Sequence, residues 1–530
     1  MQKKIVLTVL YFLTIFLSFS QQELKIEIVD ADTKEPISFA TALFKETSRG
    51  VIADYDGGIR IPFINIENTP DLIITALGYT DLEVSCKTLN INEINRIEMM
   101  PQAESLDVVI LNVTKKDRQK AFNVNRLIKD NKKILGKKIV EKAINRITYN
   151  LDDKPHSIIG YYRDYQIVND EYFNLIEGIV EQYDAGIKTN KITDVNNKNA
   201  IYSLKKNPEF KSSNRYAKAY DGESKYVQNA DLLGFGGNEL SILNVHNPIR
   251  NFNLNSFSYV YKFIENFIPN HEFAKEGFVF DEDNPIVNIS FTTLTNQRKG
   301  VQQRIQGTTK AEKFKVSGII SISLRDYAIH GFSYTMFDYK QRNPLFTVKI
   351  EYKKMQDKMY LNYISFNNRF VVTDEFVFKE EKVTYDKENE CFEVLFNNDV
   401  NNQKINKRNF KIRYKNKKVI IKSVEQMSSK KVKVFINDFD KSLSELYDDD
   451  MSEITFIIKN IEDVDGRDIY KSREVAAYQF REFFSQEIFK DKKIDANLKF
   501  TSKVEPLLYA PSNTLKNTKP YIVNTPLKNK

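Results

Sequence analysis

The sequence predicts a mainly β protein with a small N-terminal β-sandwich, a central curved antiparallel sheet with a flanking helix, and a C-terminal β-sandwich. Short runs of alternating apolar and polar residues recur along the chain, and clusters of turn-forming residues separate them. One segment, residues 136–149, instead has the spacing of an amphipathic helix. The 530 residues are 41% hydrophobic and 12% aromatic, which suffices for several buried cores and excludes wholesale disorder.

The N-terminal segment has the composition of a secretory signal peptide. Lys3 and Lys4 precede an apolar run over residues 5–19, and small side chains end it. Because this run is shorter than the ~20 residues that span a bilayer, cleavage is favoured over the alternative, an uncleaved anchor. We expect residues 1–20 to be removed and the mature chain to begin near Gln21. We expect the mature protein to be soluble and exported, in the periplasm or at the periplasmic face of the outer membrane.

Residues 21–113 are predicted to form the first sandwich. Residues 24–28 and 59–61 alternate between apolar and polar side chains, as half-buried strands do. Between them, residues 54–58 have the Asp and Gly content of a tight turn. Several short strands at this spacing, without a helix between them, are typical of a small β-sandwich.

An ordered set of short motifs lies in this segment. In chain order, the motifs are Ile28-Val29-Asp30, Thr33-Lys34-Glu35-Pro36-Ile37, Ala40, Asp54-Tyr55-Asp56-Gly57 with Ile59 and Ile61, Gly78-Tyr79, and Leu106-Asp107-Val108-Val109-Ile110. The set resembles the carboxypeptidase-regulatory-like domain, a transthyretin-like sandwich common in exported proteins of the Bacteroidetes. This resemblance implies a cell-envelope protein, and it covers the accessory sandwich but not the catalytic domain of a carboxypeptidase.

Residues 114–155 are predicted to be a basic linker and a helix. The helix has one apolar stripe, formed by Ile139, Val140, Ala143, Ile144 and Ile147. Pro155 follows the helix and prevents its continuation. The stripe predicts that the helix packs one face on the neighbouring domain.

Residues 156–390 are predicted to be a domain of antiparallel strands, in which the polar span 188–229 is a long loop. Its motifs include Gly160-Tyr161-Tyr162-Arg163, Gly318-Ile319-Ile320-Ser321-Ile322, and a hairpin that turns at Gln356-Asp357. Together with the helix, they resemble flavobacterial proteins that carry the regulatory module and have no assigned activity. The resemblance covers roughly residues 22–385 and resumes near the C-terminus.

The C-terminal part of the chain predicts a second sandwich and an extended tail. Five short apolar runs between residues 391 and 470, closed by an Asp/Gly turn, resemble a bacterial Ig-like module. Within residues 471–530, the segment 473–489 is amphipathic with either helical or strand character. The remainder contains Pro511, Pro520 and Pro526 and is predicted to be extended.

The composition argues against several function classes. Lys+Arg 79 and Asp+Glu 71 are interleaved along the chain, so a nucleic-acid-binding surface is not predicted. Cys86 and Cys391 lie in separate predicted modules, so a disulfide between them is not expected. The four histidines include no His-x-x-Glu pair, and a Gly-x-Ser-x-Gly elbow is absent from the sequence. We therefore expect no catalytic residues, no bound metal and no cofactor.

Two groups of polar residues are candidate ligand sites. Arg163, Glu177 and Glu181 lie on neighbouring predicted strands, where they either line a ligand-binding cleft or form a plain cross-strand ion pair. In the second sandwich, Asp463, Asp465 and Asp468 begin like a calcium-binding loop. The glutamate that would complete this loop is replaced by Ser472, so a structural turn is the default interpretation and calcium the alternative.

The sequence favours a non-enzymatic cell-envelope protein with a binding or structural role at the periplasmic face of the outer membrane. The expected partner is an unidentified envelope protein or a glycan. The first alternative is a periplasmic hydrolase with a carboxylate-based site in the central β domain, such as a glutamate pair that cleaves glycosides. The second is an accessory component of an outer-membrane transport system, associated with an outer-membrane protein.

Overall fold

The structure is a computed structural model. It describes residues 23–45, 50–54, 56–62, 71–101, 126–214, 216, 238–254, 262–281, 284–294, 314–338, 344–401, 405–437, 452–503, 505–515 and 521–527. The expected signal peptide and the expected strand over residues 106–110 lie outside these ranges. The chain divides into two compact units, one formed by residues 1–370 and 477–530 and the other by residues 371–476.

Within the described residues, the N-terminal sandwich is formed by seven short strands: β1 (Glu23–Asp30), β2 (Thr41–Phe44), β3 (Gly50–Ile52), β4 (Gly58–Pro62), β5 (Asp71–Thr75), β6 (Leu82–Ser85) and β7 (Ile94–Met99). One sheet has the order β4-β1-β7 and the other the order β3-β2-β5-β6. The alternation in β1 buries Leu24, Ile26 and Ile28 in the core between the sheets. The sandwich predicted for this segment is therefore confirmed.

Helix α1 (Gly136–Asn150) begins the next part of the chain and buries the apolar stripe that its spacing predicts. The strands that follow are β8 (His156–Val168), β9 (Glu171–Asp184), β10 (Asn199–Lys206), β11 (His271–Asp281), β12 (Asn284–Thr293), β13 (Phe314–Ser323), β14 (Ile329–Asp338), β15 (Pro344–Met355) and β16 (Lys358–Val377). Helix α2 (Glu239–Val245) and a helical segment from Phe263 to Asn270 lie between β10 and β11.

The unit of residues 371–476 is a small two-sheet structure. Its strands are β17 (Glu380–Asp386), β18 (Cys391–Phe396), β19 (Phe410–Tyr414), β20 (Lys417–Val419), β21 (Ile421–Gln426), β22 (Lys431–Ile436) and β23 (Ile454–Ile458). The orders are β17-β18-β22-β21 and β20-β19-β23. Alternate residues such as Phe392, Val394 and Ile412 fill the core between the sheets. This arrangement confirms the second sandwich.

The last strand, β24 (Ser472–Phe489), returns to the larger unit and completes its sheet. The order of this ten-stranded sheet, called the central sheet below, is β10-β9-β8-β24-β16-β15-β14-β13-β12-β11. Strand β24 pairs antiparallel with β8, so that Phe483 lies opposite Tyr162 and Glu482 opposite Arg163. The segment 473–489, for which the sequence left helix and strand open, is therefore a strand.

The two faces of the central sheet are covered by different parts of the chain. On one face, α1, α2 and the segment 263–270 bury aromatic and aliphatic side chains that include Ile144, Leu240 and Phe267. The other face packs against the N-terminal sandwich, where Phe39 and Ile52 contact the cluster formed by Ile159, Tyr161, Tyr363 and Phe484. The alternation of side chains along each strand separates these two packing layers.

The structure places some boundaries differently from the sequence prediction. The second unit begins at residue 371 rather than 391, because β17 pairs with β18 and belongs to its sheet. It is inserted within the larger unit, a point that the sequence left open. The polar span 188–229, predicted as a loop, contains β10, which pairs with β9.

The structure also describes the two cysteines and the lengths of the helices. Cys86 and Cys391 are buried free thiols in different units. Among the helices that the structure describes, none is long and apolar enough to cross a membrane.

Candidate functional site

The residues predicted to bind a ligand in the central β domain lie on the face of the sheet that carries the sandwich. Arg163 is on β8, and Glu177 and Glu181 are on β9. Their exposed fractions are 0%, 2% and 0%, respectively. The structure therefore brings the three residues to one face of the sheet but seals them beneath other side chains, so they do not line an open cleft.

Arg163 is held by partners from three distant parts of the chain. Its Nε donates to Glu482 Oε2 at 2.6 Å, its Nη1 donates to the backbone oxygen of Asn524 at 2.7 Å, and its Nη2 lies 3.7 Å from Asp54 Oδ2. Glu177 lies directly opposite Arg163 in the β8–β9 register, but the close ion pair is with Glu482 across the β8–β24 register. The cross-strand pair expected from sequence is thus present with a different glutamate.

Both glutamates of β9 accept several hydrogen bonds from within the chain. Glu177 accepts from Tyr161 Oη at 2.6 Å, from Asn207 Nδ2 at 2.7 Å and from Thr525 Oγ1 at 2.8 Å. Glu181 accepts from the side chains of Ser157, Tyr202 and Lys492 at 2.5–2.6 Å. Buried carboxylates are stable only when their oxygens are satisfied in this way, and here the donors come from the protein itself.

The predicted turn over residues 54–58 fastens the sandwich to this network. Asp54 accepts from the backbone N–H of Gly58 at 2.6 Å, and Asp56 accepts from Tyr172 Oη of β9 at 2.9 Å. Burial raises the pKa of Asp54 to about 6, although the Arg163 guanidinium opposes this rise. Gly57 has φ of 73°, and a Cβ atom there would lie 2.4 Å from the oxygen of Ile28. The turn therefore requires glycine at position 57.

The C-terminal residues 521–527 run between the sandwich and the central sheet. The side chain of Asn524 donates to the backbone oxygens of Ile52 and Gly58 and accepts from the N–H of Arg60. On the sheet side, Gln486 exchanges two hydrogen bonds with the backbone of Ile522. This segment therefore bonds to both layers and links them.

The aspartates predicted as calcium candidates are paired with cations of the chain. Nη1 of Arg467 donates to Asp463 Oδ2 at 2.9 Å and to Asp465 Oδ2 at 2.6 Å, while Asp468 pairs with Lys471 at 2.8 Å. Asp463 also accepts from the backbone N–H of Arg467 at 2.7 Å. Within the described residues, no group of three or more His, Cys, Asp or Glu side chains could hold a metal ion. The geometry is that of a structural turn.

A cleft of 630 Å³ opens between the sandwich and the central sheet. Sequence reasoning missed it. The sandwich contributes residues 39–43 and 75–81, and the sheet contributes residues of β12 to β16. On the sheet side, strand register places four residues in one transverse row across the face: Asn288, Ser321, Gly331 and Glu351. This volume lies within the range of about 300–1,000 Å³ that is typical of small-ligand sites.

Glu351 is a carboxyl group of the cleft with a strongly shifted pKa. Burial raises the pKa of its carboxyl group to about 7, although Lys349, Lys353 and the amide of Asn362 oppose the rise. The hydrogen bond from Asn362 Nδ2 is long, at 3.5 Å, and Glu351 is half-buried rather than sealed. Its carboxyl group is therefore poorly satisfied by the chain and faces space that a ligand can enter.

Lys349, a lysine of the cleft, also has a shifted pKa. Burial lowers the pKa of Lys349, whose Nζ lies 4.7 Å from the centre of the Phe39 ring. Lys349, Glu351 and Lys353 alternate along β15, so they share one face of the strand. In the sequence, these three charged residues at every second position indicate that one face of the strand is polar. What covers that face could not be inferred from it.

A smaller cavity of 40 Å³ lies at the other end of β9, beside Asp184. Arg250 donates to both oxygens of Asp184 at 2.9 Å, and Lys191 Nζ lies 3.1 Å from Oδ2. Burial raises the pKa of this carboxyl group, but the two cations outweigh burial and hold it well below its usual range. The cluster is a satisfied ion triad that ties α2 and its following turn to the sheet.

Comparisons with known proteins give a distant likeness to a solved structure. No family model and no curated protein matches the chain. Among solved structures, the chain is similar to a LolA superfamily protein, NE2245, from Nitrosomonas europaea, with 10% sequence identity and a TM-score of 0.17. The match covers 44% of this chain and 86% of that chain.

Proposed function

We propose that this chain is a non-enzymatic, exported protein of the cell envelope that binds a ligand in the cleft between the sandwich and the central sheet. The observation that carries this proposal is Glu351, a poorly satisfied carboxyl group with a pKa of about 7 in a cleft of 630 Å³. Large clefts that contain a few under-bonded polar groups are the usual form of ligand sites. The export part of the proposal, to the periplasm or to the periplasmic face of the outer membrane, rests on the N-terminal segment of the sequence.

The contacts of the buried glutamates favour binding over the hydrolase alternative. Glycoside cleavage needs two carboxyl groups that flank the scissile bond, separated by about 5–9.5 Å. Glu177 and Glu181 are buried and each accepts three hydrogen bonds from within the chain, so a substrate cannot reach them. One donor to Glu177, Thr525, belongs to the segment 521–527 that bonds to both layers, so the contacts of Glu177 are structural.

A test follows from the position of Ser333, which lines the cleft. The wild-type protein, purified from a host that exports it, is examined by native mass spectrometry for a non-covalent adduct. Ser333→Trp fills the cleft, whereas Ser428→Trp places the same side chain at an exposed turn of the inserted unit. We expect the adduct in the wild type and in Ser428→Trp and its absence from Ser333→Trp.

Three results would contradict the proposal. The first is an adduct that persists in a correctly folded Ser333→Trp variant, and the second is the absence of an adduct from all three proteins. The third is hydrolysis of chromogenic glycosides by the wild type that disappears in Glu351→Gln, because this result would establish the hydrolase alternative. Fractionation of the host in parallel must place the protein outside the cytoplasm.

A further inference from the structure

We infer that the cleft binds an uncharged oligosaccharide, an inference that rests on the cleft being the binding site. Charge is the first argument. The described lining contains two lysines, Lys349 and Lys353, and two acids, Glu351 and Asp81, so their charges cancel. Burial also shifts the pKa values of Lys349 and Glu351 in the directions that favour their neutral forms. A cleft of this kind gives an ionic ligand little electrostatic advantage.

The hydrogen-bonding groups of the lining are those that pair with hydroxyl groups. The sandwich wall carries the hydroxyl groups of Thr41, Thr75 and Thr80, and the sheet wall carries the amides and hydroxyls of Asn288, Ser321, Ser333 and Asn362. Ser321 Oγ donates to Asn288 Oδ1 at 2.7 Å, which leaves the Asn288 amide nitrogen as a donor for a ligand. Such groups donate and accept equally well, as sugar hydroxyls also do.

Apolar side chains lie next to these polar groups. Leu77 of the sandwich and Ile319 of β13 are 42% and 44% exposed, respectively, and both line the cleft. Ile319 lies directly opposite Ser333 in the β13–β14 register. A sugar ring has apolar C–H faces and a polar rim, so it matches a surface in which exposed aliphatic groups alternate with amides and hydroxyls. A purely apolar ligand would leave the polar groups unpaired at a cost of about 1–3 kcal/mol each.

Glu351 is placed to recognise one hydroxyl group of the ligand. As a carboxylate it accepts a strong hydrogen bond from a hydroxyl, and as an acid it donates one. Its position in the row with Asn288 and Ser321 puts three polar side chains on the same floor of the cleft. We therefore expect Glu351 and Asn288 to contribute most to affinity.

The experiment is titration calorimetry of the full mature protein with short neutral oligosaccharides built from glucose, mannose or N-acetylglucosamine. We expect one of these series to bind, and Glu351→Ala and Asn288→Ala each to weaken binding about tenfold, which is typical of one lost hydrogen bond to a ligand. Glu272→Ala is the matched control, because Glu272 is an exposed glutamate of the same sheet outside the described cleft lining. This control should bind like the wild type.

The outcomes separate the inference from the proposed function. Failure of every neutral series, tighter binding of uronate-containing or amino-sugar oligomers, or equal loss in Glu272→Ala would overturn the inference. If a cleft-dependent adduct in native mass spectrometry proves not to be a carbohydrate, the inference fails while the binding function stands. If no cleft-dependent adduct is found and no sugar binds, both fail.

Discussion

Arg163 and Asn524, which are 361 positions apart, are joined by a hydrogen bond of 2.7 Å from the guanidinium Nη1 to the backbone oxygen. The same guanidinium pairs with Glu482, and the Asn524 side chain bonds to the backbone of the sandwich. A single contact therefore connects the central sheet, the C-terminal segment and the sandwich. The sandwich and the sheet are also the two walls of the cleft. The first two predictions concern the residues of this contact.

Replacement of Arg163 by methionine should strongly destabilise strands β8 and β24. Glu482 and Asp54, both buried, would lose their cationic partner, and breaking a buried ion pair from one side costs about 3–5 kcal/mol. Hydrogen–deuterium exchange at the amides of the two strands measures the local free energy of opening. Arg96→Met, which removes an ion pair between half-exposed groups, should cost less than about 1 kcal/mol. Equal effects of the two substitutions would contradict the role given to Arg163.

Replacement of Asn524 by alanine should loosen the sandwich from the central sheet. The side chain is 2% exposed and bonds to three backbone groups of the sandwich, at Ile52, Gly58 and Arg60. Leaving such groups unsatisfied costs about 1–3 kcal/mol each. We expect faster amide exchange at residues 58–61, while Asn497→Ala should leave exchange unchanged, because Asn497 is exposed and bonds only to neighbouring Asp495 among the described residues.

The pKa of Asp54 predicts a pH-dependent difference between the wild type and Asp54→Asn. Burial raises the folded-state pKa to about 6 from an ordinary value of 3.8, so the native state binds the proton more tightly than the unfolded state does. The contribution of Asp54 to stability is full below pH 4 and falls as the pH rises to 6. Relative to the wild type, Asp54→Asn should therefore gain about 2 kcal/mol in unfolding free energy between pH 4 and pH 7.

Urea denaturation at the two pH values measures this difference. Other groups that titrate are common to both proteins and cancel in the comparison. Asparagine keeps an oxygen that can accept the hydrogen bond from the N–H of Gly58, so the turn is retained. If the unfolding free energy of Asp54→Asn minus that of the wild type stays constant, or falls, as the pH rises, the pKa of Asp54 is not raised in the folded state.

The acidic turn of the inserted unit should not respond to calcium. Arg467 donates to both Asp463 and Asp465, and a calcium ion would have to displace it. We expect the melting temperature of the wild type to be the same in calcium and in EDTA. Arg467→Ala should lower this temperature, because Asp463 is buried and would lose its cation. A calcium-dependent rise in the wild type would revive the alternative interpretation of the turn.

Local signals predicted the elements well. The apolar stripe of residues 139–147 is buried in α1, and the alternation in residues 24–28 gives β1 of the sandwich. The Asp and Gly residues at positions 54–58 form a turn, since Gly57 adopts a positive φ there. These features are determined by residues close in sequence, which is the reason that periodicity and turn composition reveal them.

Contacts between distant residues were not predictable in this way. Arg163 is paired with Glu482, 319 positions away, because β24 enters the sheet beside β8. Sequence spacing suggested Glu177, which is the neighbour of Arg163 on the other side. The cleft at Glu351 escaped detection for the same reason: its walls come from the sandwich and the central sheet, which are distant in sequence, and the alternation along β15 shows only that one face is polar.

The position of β24 in the strand order has a kinetic consequence. During synthesis, β8 to β16 emerge as two runs of neighbouring strands, β8–β10 and β11–β16, which remain unjoined until β24 pairs between β8 and β16. Strands β16 and β24 are adjacent but separated by about a hundred residues, and closing a flexible loop of that length costs roughly 4 kcal/mol of chain entropy. Folding of residues 371–476 into their own core first would shorten this loop. The inserted unit would then act as an internal folding aid. Although none of its residues belongs to the described cleft lining, a substitution that unfolds it should slow refolding of the central sheet.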